Sequence, residues 1–219
     1  MTLQPELLGW LAETRARRGV SRTGASTAAG ATGNTCARSA SVPWQDEMPL
    51  LLTPQFDACA AMLAFLRDAN TSPSVIDIFD GLERLLGLEV FRSVFPVLLT
   101  DNGTEFSNPG AIERSVDGES VRTRVFYCDP YAALQKPNLK NNHCNLRRIL
   151  TKDESMDFLT QEKVNLPLSH MNSVIRVSLG NVTAARRVAQ CHGEDVLEKL
   201  GIGEIAPDQV RMTPELVRD

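Results

Sequence analysis

The sequence lacks any hydrophobic run long enough to cross a membrane, since no apolar stretch approaches the roughly 18–20 residues that a transmembrane helix requires. The N-terminal segment also lacks the positively charged stretch followed by an apolar one that marks a secretory signal. We therefore expect a cytoplasmic protein with no membrane partner. With 219 residues, of which 42% are hydrophobic and 23% charged, the chain is long enough for one good core.

Cysteine is too sparse and scattered to define a site. The five cysteines are odd in number and include no C-x-x-C pair, which argues against a zinc knuckle or a disulfide framework. His143-Cys144 and Cys191-His192 lack the spacing of a tetrahedral metal site. The net charge of −4 neither supports nor excludes nucleic acid as a partner, because binding depends on local patches of charge.

Residues 15–41 lack acidic residues and almost all large apolar ones, but they carry five arginines. Such a segment cannot bury enough surface to offset the entropy lost on ordering. We therefore predict that residues 1–47 are poorly ordered.

From residue 48 onward the pattern predicts an α/β domain with a mixed sheet flanked by helices. Strands are predicted at "PLLLTPQF", "VFPVLL" and "VRTRVFYCDP", while "AAMLAFLRDA" fits either a strand or a helix. A helix is predicted from Thr71 or Ser72, as N-cap, to a stop at Gly87, and others after Pro137, after a Thr160 cap and at "GEDVLEKLG". We place the main domain at 48–192, and a C-terminal helix with an extended tail at 193–219.

The segment "VFPVLLTDNGTEF" places a carboxylate, Asp101, directly after an apolar run. Ligands of open α/β sheets gather at the carboxyl ends of strands, which makes Asp101 a candidate functional residue. The alternative interpretation is a simple turn, because Asp, Asn and Gly all favour turns.

A longer motif resembles a known family. "LLTDNGTEF", followed by "FYCDPYAALQKPNLKNNHCNLRRIL", resembles the integrase-core region of bacterial insertion-sequence transposases of the IS-thirty family, and the resemblance runs from about Leu50 to the C-terminus. It implies a ribonuclease-H-like, retroviral-integrase-like fold. It also implies DNA integration and transposition by phosphoryl transfer, with three carboxylates (Asp-Asp-Glu) that hold two Mg²⁺ or Mn²⁺ ions. The implied partners are insertion-sequence ends and target DNA, bound by a homo-oligomer.

The resemblance assigns Asp101 as the second carboxylate and as a catalytic metal ligand. Asn102, Gly103 and Glu105 match further positions of the motif. Gly103 is expected to let the backbone turn away sharply. Phe106 is expected to pack beneath the turn.

The chain departs from the family at the other two acids. Alignment of Gln135-Lys136-Pro137 with the family pattern puts Lys140 where the glutamate is expected, and an ammonium group repels divalent cations. Counting back to the first acid ends near Ser39–Ser41, where there is no Asp or Glu, and the nearest candidates to replace it are Asp46, Glu47 and Asp57. We therefore expect impaired catalysis and weakened metal binding. A truncated or frame-shifted gene copy would explain these departures.

Six basic residues surround the motif in the sequence and are predicted to contact DNA: Arg122, Arg124, Lys136, Lys140, Arg147 and Arg148. They keep two functions open besides an impaired transposase. One is a non-catalytic DNA-binding remnant of a transposase. The other is an unrelated α/β binding module in which "TDNG" is only a turn.

Overall fold

The computed structural model describes residues 36–41, 50–56, 58–67, 69–100, 102–128, 137–150 and 159–217. Within these ranges the chain forms a six-stranded sheet, a two-stranded hairpin and seven α-helices, which confirms the predicted α/β class. The strands are β1 (Cys36–Ser41), β2 (Leu50–Phe56), β3 (Ala61–Met62), β4 (Phe65–Arg67), β5 (Val97–Thr100), β6 (Arg124–Tyr127), β7 (Ile175–Arg176) and β8 (Val182–Thr183). The helices are α1 (Ser72–Leu86), α2 (Leu88–Val94), α3 (Pro109–Glu113), α4 (Pro137–Ile149), α5 (Gln161–Asn172), α6 (Ala184–His192) and α7 (Glu194–Lys199).

The sheet is mixed, and β1 lies at its centre. The strand order is β3-β2-β1-β5-β6, and β4 also pairs with β2. β1 runs antiparallel to β2 and parallel to β5, which in turn runs parallel to β6. Cys36–Ser41, which lies within the segment 1–47 expected to be poorly ordered, forms this central strand. Because its backbone hydrogen bonds are satisfied by two apolar neighbouring strands, β1 needs few large side chains of its own.

Helix α1 forms as its pattern predicts. The Thr71 side chain accepts a hydrogen bond from the Ser74 amide, and the helix stops at Gly87, whose φ is 78°. Its apolar face contributes to an aromatic cluster against the sheet, with ring centroids 5.8 Å apart for Phe79 and Phe91. The cluster continues through Phe95 to Phe56 of β2.

The apolar run that precedes Asp101 is divided between a helix and a strand. Val94 ends α2, the Phe95 amide donates to the Phe91 carbonyl, and β5 begins only at Val97. Pro96 has no N–H to donate to a neighbouring strand, which explains why the predicted strand starts three residues late.

Helix α5 closes the outer edge of the sheet with two amide side chains. Asn172 bonds both backbone groups of Met62, at 2.9 Å to the amide nitrogen and 2.8 Å to the carbonyl oxygen. Gln161 likewise pairs with two backbone groups at β4. Its side chain accepts from the Leu66 amide at 2.9 Å and donates to the Ala64 carbonyl at 2.8 Å. "AAMLAFLRDA" thus forms two short edge strands whose open sides are paired by a helix.

The C-terminal segment packs against α5. The Ile205 amide donates to the Ser173 hydroxyl at 2.8 Å, and the Arg211 amide donates to His170 Nδ1 at 3.1 Å. Five buried apolar residues of this segment join the common core: Val196, Leu197, Leu200, Ile202 and Val217. The predicted helix at "GEDVLEKLG" is present as α7.

Candidate functional site

The carboxyl ends of the parallel strands β1, β5 and β6 meet at one edge of the sheet. Thr100 ends β5, is fully buried and pairs with Tyr127 of β6. Its carbonyl accepts a hydrogen bond from the Cys128 amide at 2.7 Å. Asp101 follows directly in the chain but lies outside the described residues, so its side chain is not placed.

The motif downstream of Asp101 turns back toward β6. Asn102 is exposed, whereas Glu105 and Phe106 are buried in a short 3₁₀ helix, Thr104–Phe106. The Phe106 carbonyl accepts a hydrogen bond from the Tyr127 hydroxyl. The Phe106 side chain is fully buried, in agreement with its expected packing role.

Gly103 does not make the sharp glycine turn that the motif predicts. Its φ of −59° and ψ of 151° are open to any residue. The Glu105 carboxylate lies against the Gly103 backbone, where a Cβ atom would meet it, so a larger residue at 103 requires the Glu105 side chain to move.

The end of β1 carries no carboxylate. Ser39, Ala40 and Ser41 pair with Pro54, Thr53 and Leu52 of β2, so the place predicted for the first acid lies on a central strand. Of the candidates to replace that acid, Asp46, Glu47 and Asp57 all lie outside the described residues.

Helix α4 carries Lys140 and packs over β2. His143 Nε2 lies 2.7 Å from the Thr53 hydroxyl, and the Asn142 amide donates to the Gln55 side chain at 3.2 Å. Lys140 precedes His143 by three residues, or about 4.5 Å along the helix axis. Since Thr53 pairs with Ala40, the middle of α4 crosses the sheet beside the carboxyl end of β1.

Sequence reasoning missed the polar residues beneath α4. Besides Asn142 and Gln55, this layer contains Arg176, which donates to Asn142 Oδ1 at 3.3 Å. Burial lowers the pKa of Arg176. The signal in the sequence was the alternation of Thr53 and Gln55 within an otherwise apolar strand, which turns polar groups toward one face.

The predicted DNA-contacting residues that the structure describes with their side chains lie at separate places in the fold. Arg147 and Arg148 are exposed in the last turn of α4, while Arg124 is exposed at the amino end of β6, about 10 Å from its carboxyl end. Arg122 has a fully buried side chain, paired with Asp80 at 2.6 Å and with Glu83 at 3.1 Å. A guanidinium enclosed in this way cannot reach a phosphate, so we assign Arg122 to the fold. Lys136 lies outside the described residues.

By residue type, the positions implied for the first and third acids do not suit a two-metal site. The end of β1 has two serines and an alanine in the sequence, and residues 138–149 contain no acid. In the part of the chain that the structure describes, no three His, Cys, Asp or Glu side chains are grouped to hold a metal ion. Nor does any described helix combine the length and apolarity needed to cross a membrane.

No protein-family model and no curated protein matches this chain. Among solved structures, it is similar to the catalytic core domain of BIV integrase, with a TM-score of 0.47 and 17% sequence identity over 72% of this chain and 95% of that chain.

Proposed function

We propose that this chain is an integrase-core-like domain of the insertion-sequence transposase type, related to the IS-thirty family. In this proposal it binds DNA and is impaired in metal-dependent phosphoryl transfer. The observation that carries the proposal is the position of "TDNGTEF", whose first residue, Thr100, ends β5 at the shared edge of three parallel strands.

The sheet supports a ribonuclease-H-like fold. An antiparallel set, β3-β2-β1, is extended by two strands parallel to β1, in the order β3-β2-β1-β5-β6. Helices cover both faces, with α1 and α2 on the aromatic cluster and α4 on the polar face of β2. This arrangement brings β1, β5 and α4 together, which are the elements that the resemblance implies for the three acids.

The same arrangement supports the loss of catalysis. Two cations in in-line phosphoryl transfer need several oxygen ligands, and carboxylates offset the positive charge of the ions. At the places implied for the first and third acids the chain has Ser39–Ser41 and Lys140. The donor set is thus too poor in carboxylates to hold two such cations.

A non-catalytic DNA-binding remnant is the form of the proposal that these substitutions favour. An unrelated module would be favoured by a strand that ends far from residue 101, or by a helix 138–149 far from that strand's sheet. Instead, β5 ends at Thr100 and α4 packs on the neighbouring strands of the same sheet.

DNA binding follows from the exposed basic end of α4. Arg147 and Arg148 lie side by side there, and Lys140 precedes them by about two turns of the same helix. Guanidinium groups on such a surface contact phosphates, and release of counterions then makes affinity fall as salt rises.

Fluorescence anisotropy with a labelled duplex, titrated at several salt concentrations, tests this binding. For Arg147→Gln/Arg148→Gln we expect the slope of log affinity against log salt to become shallower by about 2, since two phosphate contacts are lost. The matched control, Arg92→Gln/Arg186→Gln, removes the same charge from α2 and α6 and should leave the slope unchanged. A slope near zero for the unmodified protein would rule out the proposed function.

A further inference from the structure

The C-terminal strap, residues 202–217, is held on α5 by hydrogen bonds from its backbone to side chains of the helix. Three amides of the strap donate in this way, at 2.8–3.1 Å: Gly203 to Ser169 Oγ, Ile205 to Ser173 Oγ and Arg211 to His170 Nδ1. The two hydroxyls are fixed as acceptors, because each gives its own proton to a backbone carbonyl of α5. Attachment of the strap therefore depends on side chains of α5 that can accept a hydrogen bond.

Of these three acceptors, His170 is the one that a proton converts into a donor. The residue is only 6% exposed, and its Nδ1 accepts from the Arg211 amide only while that nitrogen carries no proton. The bound imidazole is thus neutral, with its proton on Nε2. Protonation places an N–H on Nδ1, so two donors face each other, and it creates a positive charge beside Arg211.

The elements in contact with α5 offer no carboxylate to a protonated His170. β3, β4, α4 and α6 all contact this helix, and none of them contains an Asp or Glu. Their charged side chains are all basic: Arg67, Lys140, Arg147, Arg148, Arg186 and Arg187. Their two histidines are engaged elsewhere, His143 with Thr53 and His192 with Ser93. The charges on these elements therefore oppose a proton on His170.

The acids of α5 and of the strap are also poorly placed to stabilise that proton. Glu162 precedes His170 by eight residues, or about 12 Å along the helix axis. In the strap, Glu204 accepts from Thr183, Glu215 accepts from Thr213, and Asp208 is exposed. Burial, and next the charge of Arg211, lower the pKa of His170.

We propose that the strap is a pH-sensitive device, in which protonation of His170 shifts residues 206–217 from a state attached to α5 toward a detached one. The part of the strap at Gly203 and Ile205 stays bound, because the serines that hold it do not titrate. The short helix Pro214–Val217 contacts α4 as well as α5, so detachment uncovers part of both helices. The inference does not depend on DNA binding.

The device responds to acid. With the strap detached, His170 is in contact with water and takes up a proton near the ordinary histidine pKa of about 6.5, whereas in the attached state its pKa is lower. Attachment is therefore complete above about pH 6.5 and weakens as the pH falls below it. Between pH 7.5 and 5.5, the equilibrium should shift toward the detached state by up to about tenfold.

Hydrogen–deuterium exchange of the full chain at pH 7.5 and 5.5, measured by mass spectrometry, tests the device. Protection is expressed relative to the intrinsic exchange rate at each pH. We expect the protection of peptides from residues 206–217 to fall by up to about tenfold at pH 5.5, and that of peptides from α1 to stay constant. Equal protection of residues 206–217 at the two pH values would overturn the proposal.

Two histidine variants locate the titrating group. His170→Asn offers an acceptor oxygen near the place of Nδ1 and cannot titrate, so its strap should be equally protected at both pH values. His192→Asn removes a histidine that pairs with Ser93 and should keep the loss of protection at pH 5.5. The same loss in His170→Asn as in the unmodified protein would contradict the proposal. An NMR titration of the unmodified protein checks it without any variant, and a His170 pKa at or above its ordinary value would also overturn it.

Discussion

The guanidinium of Arg122 is enclosed on every side by groups that suit a cation. Its Nη1 pairs with Asp80 and Glu83, and its Nε donates to the Ile112 carbonyl at 2.8 Å. The charge also lies over two aromatic rings, 5.4 Å from the Phe79 centroid. This one side chain therefore joins α1, α3 and the segment before β6.

Replacement of Arg122 by methionine should strongly destabilise the fold. The variant Arg122→Met keeps a long apolar stem but leaves Glu83, whose side chain is only 7% exposed, without its cation. Removal of one partner from a buried ion pair costs about 3–5 kcal/mol. Urea unfolding, followed by circular dichroism, measures the change in the free energy of unfolding.

The control for this variant is Arg186→Met. Arg186 is exposed and lies 4.0 Å from Glu204, a surface pair whose loss should cost about 1 kcal/mol or less. Adding Glu83→Gln to Arg122→Met should recover part of the loss, because the unpaired charge is removed. Equal stabilities for Arg122→Met and Arg186→Met would contradict the role of Arg122 in the fold.

Among the elements, α5 has two roles that its sequence pattern does not reveal: it packs in the core and it pairs with the edge strands of the sheet. Its apolar residues enter the core, while Gln161 and Asn172, at its two ends, pair the open backbone groups of the edge strands. The helix continues through Pro167, although proline removes one hydrogen bond of the helix. Packing on the sheet thus outweighs the local effect of this proline.

Truncation of Asn172 should lower the free energy of unfolding, because two buried hydrogen bonds are lost at once. In Asn172→Ala, the Met62 amide and carbonyl both lose their partner in a buried environment, at about 1–3 kcal/mol for each group. The same urea experiment measures the loss. Gln190→Ala, which removes an exposed amide from α6, should change stability by less than about 0.5 kcal/mol. A loss no larger than that of the control would show that water replaces Asn172 at the edge.

At the scale of the whole molecule, catalysis by the proposed domain depends on the three carboxylates that the resemblance implies, of which the first and third are absent from the sequence. With Mg²⁺ or Mn²⁺, we expect the purified protein neither to cleave nor to join terminal-repeat DNA, because too few carboxylates remain to hold two cations. Labelled DNA ends resolved on a gel provide the measurement. Lys140→Glu alone should stay inactive, since the end of β1 still lacks an acid. Cleavage that disappeared in Asp101→Asn would contradict the expectation.

The sequence predicted elements well where local signals were strong. Helix α1 has a cap, a periodic apolar face and a glycine stop, and its bounds follow from them. β1 was missed because its strand character comes from its neighbours, β2 and β5, and not from its own residues. The sequence suggested that Arg122 belonged to a basic surface, because spacing along a chain does not reveal which charges are buried against acids.

The two amides of α5 also bear on how the protein behaves at high concentration. A strand at the edge of a sheet offers unpaired N–H and C=O groups to any other chain, and such edges promote aggregation. In this molecule Gln161 pairs with the Leu66 amide of β4 and Asn172 pairs with Met62 of β3, so the helix blocks intermolecular strand addition at these groups. On this side of the protein, protection against aggregation therefore rests on two uncharged side chains.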